Sequence, residues 1–130
     1  MARNTRTFTD LDLNFTSNPA TGDVAKKYDD NAIKQSLKNL VMTNHYERLF
    51  HPEIGSQVTA LLFEPFTPLT KVMLETAIVN TITNFEPRVV LMGVEVNSNP
   101  DNNAVYVSIT YRIVNTSNPI TVNLILQRTR

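Results

Sequence analysis

The tripeptide Glu86-Pro87-Arg88 is the part of the sequence whose residue types and spacing are best suited to chemistry or recognition. The residue before a proline is disfavoured in helical geometry, so Glu86 should leave the preceding helix as Pro87 ends it. In an extended backbone, alternate residues point to the same side. The acid and the base are therefore predicted to project outward together from a stiff helix-to-strand corner.

Three roles for this pair stay open on the residues alone. The pair can solvate the corner as an exposed ion pair, which contributes only about 0–1 kcal/mol. It can dock onto another protein, or Glu86 can serve in catalysis. A glycosidase needs a second carboxyl group, about 5–5.5 Å or 6.5–9.5 Å away. The carboxylates that could complete such a pair are Glu64, Glu75, Glu95 and Asp101. Their spacing selects none of them, and a neighbouring arginine favours the ionised form, the opposite of what a general acid requires.

Other catalytic or cofactor-binding signals are weak. His45 and His51 are the two histidines, and they lie in one loop without the helical HExxH spacing of a zinc site. Loop or partner contacts are the favoured interpretation of both. The three glycines form no phosphate-binding loop, no G-x-S-x-G elbow is present, and the chain has no cysteine for disulfides or zinc. We therefore expect no metal and no other cofactor.

Length and charge bound the class of protein. The chain has 130 residues, enough for one domain with its own core, and 42% of them are hydrophobic. Its 12 basic and 12 acidic residues cancel, so no overall field attracts nucleic acid or an anionic membrane. No apolar run approaches the roughly 18 residues that span a bilayer, and the first residues lack the apolar region of a signal peptide. We expect a protein that folds in the cytoplasm.

The first thirty residues are polar and rich in turn formers. The segment "DLDLNF" alternates apolar and polar residues, which is typical of a half-exposed strand or an extended arm. "SNPATGD" then interrupts it. The predicted organisation is an extended N-terminal arm over residues 1–30, followed by a single domain over residues 31–130.

Helical patterns occupy the middle of the chain. The first helix is predicted to start at an N-cap at Asp30 or Asn31 and to end near Thr43, with a buried stripe of Ile33, Leu37, Leu40 and Val41. A short helix is expected within "SQVTALLFEPF". The clearest helix begins at the N-cap Thr67, with Pro68 at its first position. Its predicted buried stripe consists of Leu74, Ile78, Ile82 and Phe85.

Three strand patterns follow the helices. In the first strand, alternation places four residues on one face: Val90, Met92, Val94 and Val96. In the last strand, the residues on one face are Ile120, Val122, Leu124 and Leu126. The middle strand alternates Val105, Val107, Ile109, Tyr111 and Ile113. Short links rich in turn formers predict antiparallel pairing. The predicted fold class is α+β, with N-terminal helices packed on one face of a C-terminal antiparallel sheet of three to four strands.

Two further motifs precede the Glu-Pro-Arg tripeptide. Arg48, Pro52 and Gly55 form an Arg-x-x-x-Pro-x-x-Gly loop. A Leu-Phe-Glu segment and the capped helix start after it comprise Leu62, Phe63, Glu64, Pro68 and Thr70. In this order and spacing, from about Ile33 to Val96, the chain resembles the baseplate wedge and sheath-initiator family of contractile-tailed phages, which has relatives in type VI secretion systems. "FTDLDLNF" is similar to the phage branch. Many members have glycine where this chain has Tyr46, so the loop backbone is expected to differ there.

The resemblance implies a non-enzymatic structural protein of the virion tail baseplate, assembled in the host cytoplasm. It implies six copies per baseplate, one in each wedge. The implied partners are the helical core bundle of the larger wedge proteins and the tail sheath protein, with tail-tube or hub proteins as further contacts and no nucleic acid or membrane. The family has also carried a lysozyme name, so a muramidase that uses Glu86 is the alternative.

The same resemblance implies partner-binding residues. In the family the Glu-Pro-Arg motif, here Glu86, Pro87 and Arg88, engages the core bundle, and Arg48 belongs to the matching loop. The family's sheet mimics the interlocking domain of the sheath protein, so that the first sheath ring adds extended arms to it. Edge strands carry unpaired N–H and C=O groups that can accept such an arm. The polar residues Thr121 and Asn123 (and Gln127) would keep this edge soluble.

Overall fold

The computed structural model of the protein describes residues 8–114 and 116–127. Residues 1–7, which begin the predicted arm, lie outside the described residues. The elements run in the order β1, β2, α1, α2, α3, β3, β4 and β5. Their bounds are Thr9–Leu11 (β1), Lys26–Tyr28 (β2), Asp29–Met42 (α1), Val58–Leu62 (α2), Pro68–Phe85 (α3), Val89–Asn99 (β3), Ala104–Ile113 (β4) and Pro119–Gln127 (β5). The chain divides into two compact units, one up to Ser36 and one from Leu37 onward.

The first unit contains a small antiparallel pair of strands. β1 pairs with β2, with Thr9 opposite Tyr28. The carboxylate of Asp12, which is 7% exposed, accepts hydrogen bonds from the Thr16 hydroxyl at 2.6 Å and the Asn14 N–H at 3.1 Å. These two hydrogen bonds lower the pKa of the Asp12 carboxyl, and the bond from Thr16 has the larger effect. The alternation of "DLDLNF" thus becomes a short strand and a turn, whereas β2 was not anticipated from the sequence.

Helix α1 carries the predicted apolar stripe. Ile33, Leu37 and Val41 are fully buried, while Leu40 at the border of the stripe is partly exposed. The helix ends at Met42, one residue before the expected bound, but it begins at Asp29, so the predicted N-caps Asp30 and Asn31 lie within its first turn. The 3.6-residue period of the apolar positions therefore located this helix correctly.

Helix α3 is the longest element of the second unit. The Thr67 side chain accepts a hydrogen bond from the Thr70 N–H at 3.2 Å, and Pro68 occupies the first turn, as predicted. The fully buried side chains of α3 include Leu74, Ile78 and Ile82, whereas Phe85 is partly exposed. The short helix α2 contacts α3, and α3 packs against β3. Because many of its residues are β-branched, this packing holds the helix more than intrinsic propensity does.

The second unit ends in a three-stranded antiparallel sheet in the order β3-β4-β5. The predicted inward residues of β4 are all buried: Val105, Val107, Ile109, Tyr111 and Ile113. On β5 the buried residues are Val122, Leu124 and Leu126, with Ile120 partly exposed. The expected α+β class is confirmed, with a sheet of three strands and α3 on its apolar face.

The first strand of the sheet departs from its predicted alternation. Val90 and Met92 were expected on the same face as Val96, but they are 44% and 62% exposed whereas Val96 is buried. The pairing register with β4 shifts between Leu91 and Gly93, so one extra residue enters β3 at this point. A β-bulge of this kind reverses the side-chain alternation on either side of it. The prediction for Val90 and Met92 was therefore wrong.

Among the described residues, no helix combines the length and the apolar character needed to cross a bilayer.

Candidate functional site

The Glu-Pro-Arg corner joins α3 to β3. Glu86 is the C-cap of α3, with φ −124° and ψ 84°, and its N–H still donates to the Ile82 carbonyl at 3.0 Å. Two residues later, the Arg88 carbonyl accepts a hydrogen bond from the Val114 N–H at 2.9 Å. Pro87 fixes φ between these two anchors. The backbone thus leaves the helix at Glu86, as predicted, and is fastened on both sides of the proline.

The two charged side chains of the corner bind each other directly. The Arg88 Nε donates to Glu86 Oε1 at 2.7 Å, and a terminal guanidinium nitrogen donates to Oε2 at 3.0 Å. Both carboxylate oxygens are therefore engaged in a bidentate ion pair, the strong form of an arginine–carboxylate contact. The prediction that the acid and the base share one side of the backbone is confirmed.

The prediction that both ions project outward was wrong for Glu86. Its side chain is 4% exposed, whereas that of Arg88 is 23% exposed. An ionised carboxylate is costly to bury unless it is paired, and the fork of Arg88 supplies that pairing. The acid is consequently a buried partner that fixes the orientation of the guanidinium, and Arg88 is the member of the pair whose side chain is partly exposed.

The loop of residues 43–57 is closed tightly at its base. The Ser56 N–H donates to the Thr43 carbonyl at 2.8 Å, and the Ser56 hydroxyl donates to the Val41 carbonyl at 2.6 Å. Gly55 has φ 148°, and a Cβ placed on it would lie 2.7 Å from the backbone of Asn44. Only glycine allows this close approach of two backbone segments. The Pro-x-x-Gly part of the motif is thus a structural closure.

The loop tip, residues 46–50, is exposed and apolar. Tyr46, Leu49 and Phe50 are 85%, 84% and 95% exposed. Arg48 lies between them and is also exposed, and no ion pair to it occurs within residues 8–114 and 116–127. Sequence reasoning placed Arg48 in a partner-binding loop but missed its apolar neighbours. The signal was present, because "YERLF" puts three large apolar residues in a segment with no helical or strand period.

Tyr46 adopts the backbone conformation that glycine favours. Its φ is 68°, and its N–H donates to the Pro52 carbonyl at 2.8 Å. The loop was expected to depart from the family's backbone here because tyrosine replaces the usual glycine. Tyr46 lies in the left-handed region, which costs a non-glycine residue about 1–2 kcal/mol, and the departure from the family's backbone stays a prediction.

A groove of about 940 Å³ lies between this loop and α2, lined among others by Tyr46, Glu53 and Phe63. His51 Nδ1 lies 3.2 Å from Glu53 Oε1. The pKa of the Glu53 carboxyl is lowered, mainly by a hydrogen bond from the residue's own backbone N–H and next by the hydrogen bond with His51. His45 lies on the groove wall. Across the part of the chain that the structure describes, no three His, Asp or Glu side chains could together hold a metal ion.

Thr121 and Asn123 lie on the solvent face of the sheet, on strand β5. The Thr121 hydroxyl is 3.3 Å from that of Thr110, and the Ser108 hydroxyl donates to the Asn123 side chain at 2.9 Å. These cross-strand pairs stabilise the register of β5 against β4. The predicted site residues therefore occupy three different elements: the corner, the 43–57 loop and the outer strand.

The amino-acid sequence that forms these elements matches a known protein family. The family model for baseplate wedge protein gp25 matches residues 27–118, which include the 43–57 loop, α3, the Glu-Pro-Arg corner, β3 and β4. This chain is a member of the gp25 baseplate wedge family. Baseplate wedge protein gp25 of Enterobacteria phage T4 is 32% identical over 98 residues, which are 75% of this chain and 74% of the T4 protein.

Solved structures share the gp25 fold at lower identity. A Geobacter sulfurreducens protein provisionally named a tail lysozyme superposes with a TM-score of 0.70 at 19% identity, covering 75% of this chain and 89% of that one. A chain of the anti-feeding prophage baseplate superposes with a TM-score of 0.66 at 20% identity, covering 95% and 87%. As a gp25 family member, the chain is a baseplate wedge protein of a contractile tail system, and its place is the tail of the virion.

Proposed function

We propose that this chain is a non-enzymatic component of the inner wedge, which docks on helical wedge proteins and starts the tail sheath. The observation that carries the proposal is the family match across residues 27–118, because it spans the corner, the loop and most of the sheet. Six copies per baseplate are proposed, in keeping with the six-fold symmetry of the anti-feeding prophage baseplate. The partners are the larger wedge proteins and the sheath protein, with tail-tube or hub proteins as further contacts, and assembly takes place in the host cytoplasm.

Docking at the corner depends on Arg88, with Glu86 as its support. The bidentate pair holds the guanidinium in one orientation at the end of α3, and 23% of the Arg88 side chain stays exposed. A guanidinium that is fixed before binding loses less conformational freedom on meeting a carboxylate or a helix carbonyl. Pro87 fixes the backbone between the two residues. The corner is thereby suited to set the register of a helical partner.

Sheath attachment is assigned to the free edge of β5. Within the described residues β5 pairs with β4 alone, through nine consecutive residue pairs without a bulge. The strand "PITVNLILQ" contains no charged residue. The opposite edge, β3, carries the bulge after Leu91 and the charged residue Glu95. Bulges and charges are the features that protect an edge from strand addition, so β5 is the accessible acceptor.

A lysine at Ile125 is expected to lower sheath initiation about tenfold, the effect of about 1.4 kcal/mol, because a charge on an edge strand opposes an incoming strand. Ile125 is 60% exposed on β5. The matched control is Met92→Lys, at a residue 62% exposed on the bulged strand β3, which should leave initiation unchanged. Baseplates with a first sheath ring, counted by electron microscopy after co-expression with the wedge and sheath proteins, give the measurement. Loss of initiation with Met92→Lys alone would transfer the acceptor to β3.

The geometry of Glu86 argues against a muramidase. Both of its oxygens accept hydrogen bonds from Arg88, and this pairing favours the ionised carboxylate. A glycosidase acid must carry a proton to donate to the leaving oxygen. The likeness to the protein named a tail lysozyme is one of fold, and a fold alone does not establish a reaction.

Purified protein incubated with peptidoglycan is therefore expected to release no more reducing sugar than its Glu86→Gln variant. A known muramidase serves as the positive control for the substrate. Sugar release that disappears in the Glu86→Gln variant, while that variant stays folded, would replace the structural role by a catalytic one.

A further inference from the structure

The loop tip, residues 46–50, presents more apolar surface than an isolated protein needs. Tyr46, Leu49 and Phe50 are each at least 84% exposed within five consecutive positions. Aromatic residues and arginine are enriched at the centres of protein interfaces, where a few of them carry most of the affinity. Arg48 lies among these three side chains. The composition of the loop tip is that of an interface centre.

The loop tip also holds its shape at the cost of backbone strain. Tyr46 and Phe50 both have φ 68°, in the left-handed region that bulky residues rarely adopt. Such conformations persist where the surrounding structure imposes them, and they concentrate at binding sites. Here the Tyr46 N–H to Pro52 carbonyl bond holds Tyr46, and the close approach of the Gly55 and Asn44 backbones closes the loop behind the tip. The tip is therefore formed before any partner arrives.

The charges of the loop indicate the partner's chemistry. The Glu47 carboxylate accepts the Asn44 N–H at 2.8 Å and is held at the loop base, and Glu53 is paired with His51. Arg48 is left as the cation without an ion pair among the described residues. A complementary surface is an apolar hollow with a carboxylate at its rim.

We propose that the loop tip is a preformed knob that inserts into an apolar, acid-rimmed hollow on a neighbouring wedge protein. This inference rests on the proposed function, since it takes the partner from the same baseplate. A second copy of this chain fits less well. The acidic residue that lines the groove beside α2 is Glu53, and it is already engaged by His51.

Phe50→Gly tests the knob because it should raise the stability of the protein while lowering its affinity for the wedge proteins. Glycine relieves the left-handed strain, so the melting temperature should rise by about 3 °C. Affinity for the co-expressed wedge proteins of the same tail-gene cluster should fall about 30-fold, since an aromatic anchor is removed. Leu49→Ser should weaken binding with little change in the melting temperature. Arg48→Glu should weaken binding to the wedge proteins more at low salt than at high salt.

The matched control is Asn103→Gly, at an exposed turn residue with φ 48°. It places glycine in a left-handed backbone conformation without removing an apolar side chain, so wedge affinity should stay unchanged. Unchanged affinity in Phe50→Gly and Leu49→Ser would overturn the knob while leaving the proposed function intact. If the wild-type protein itself does not bind the wedge proteins, both fail. Self-association of the wild type that Phe50→Gly abolishes would assign the hollow to a second copy and overturn the choice of partner.

Discussion

Replacing Gly55 with alanine is expected to destabilise the protein by about 4 kcal/mol, near the upper limit for a single substitution. The new Cβ would lie 2.7 Å from the carbonyl carbon and oxygen of Asn44 and 2.9 Å from the His45 nitrogen. These are backbone atoms, so no side-chain rotation relieves the clash. The φ of 148° is also a conformation that residues with a Cβ rarely adopt. The base of the 43–57 loop would have to open, and the loop tip would lose its shape.

Urea denaturation of the Gly55→Ala variant measures this effect. Gly93→Ala is the matched control, because nothing lies within 4 Å of a Cβ at Gly93 and its φ is not in the positive range. That variant should stay within about 1 kcal/mol of the wild type. If Gly55→Ala were as stable as Gly93→Ala, the loop base would be able to move. The inference that the base holds the loop tip in a preformed shape would then be wrong.

Replacing Arg88 with alanine is expected to cost about 3 kcal/mol of stability, because it leaves the Glu86 carboxylate buried without its bidentate partner. The cost lies at the lower end for buried pairs, since 23% of the Arg88 side chain is exposed. The double variant Glu86→Ala with Arg88→Ala should recover part of that loss, because it removes the buried carboxylate together with the arginine that binds it. Arg88→Lys keeps the charge but not the fork, and should fall between the wild type and Arg88→Ala.

Stability and docking are separated by measuring both on the same proteins. Denaturant titration gives the free energy of unfolding of the two single variants and the double variant. Co-purification with the wedge proteins then reports docking at a temperature where all are folded. A folded double variant that enters wedges normally would remove the docking role of the corner. A stability change below about 0.5 kcal/mol in Arg88→Ala would mean that the ion pair contributes as little as an open surface pair.

Patterns of period 3.6 and period 2 predicted most of the fold. The apolar stripe of α1, the Thr67 cap with Pro68, and the buried faces of β4 and β5 all follow from local spacing. The reversal within β3 could not be predicted in the same way. Val90, Met92 and Val94 keep an unbroken apolar alternation through the bulge, and the one local sign of the inserted residue is Gly93, since an isolated glycine within a strand often accompanies a bulge.

The pairing of Glu86 with Arg88 at the corner could be predicted from the sequence, but the burial of the carboxylate could not. Spacing across Pro87 placed Glu86 and Arg88 on one side of the chain. Whether the carboxylate lies inside or outside depends on which elements pack around the corner, and a tripeptide holds no information about that. In the 43–57 loop, the left-handed Tyr46 escaped prediction because that backbone is normally signalled by glycine.

The inserted residue in β3 has a consequence for how molecules of this protein behave at high concentration. If both margins of the sheet were regular, the β5 margin of one molecule could join the β3 margin of the next, and the contact would repeat without closing into a filament. The irregular margin at Met92 interrupts that head-to-tail stacking, while the other margin stays available to a different polypeptide. Under the strand addition that we propose, the sheet is extended at the β5 side only, and the irregular β3 side opposes polymerisation of the free protein with itself.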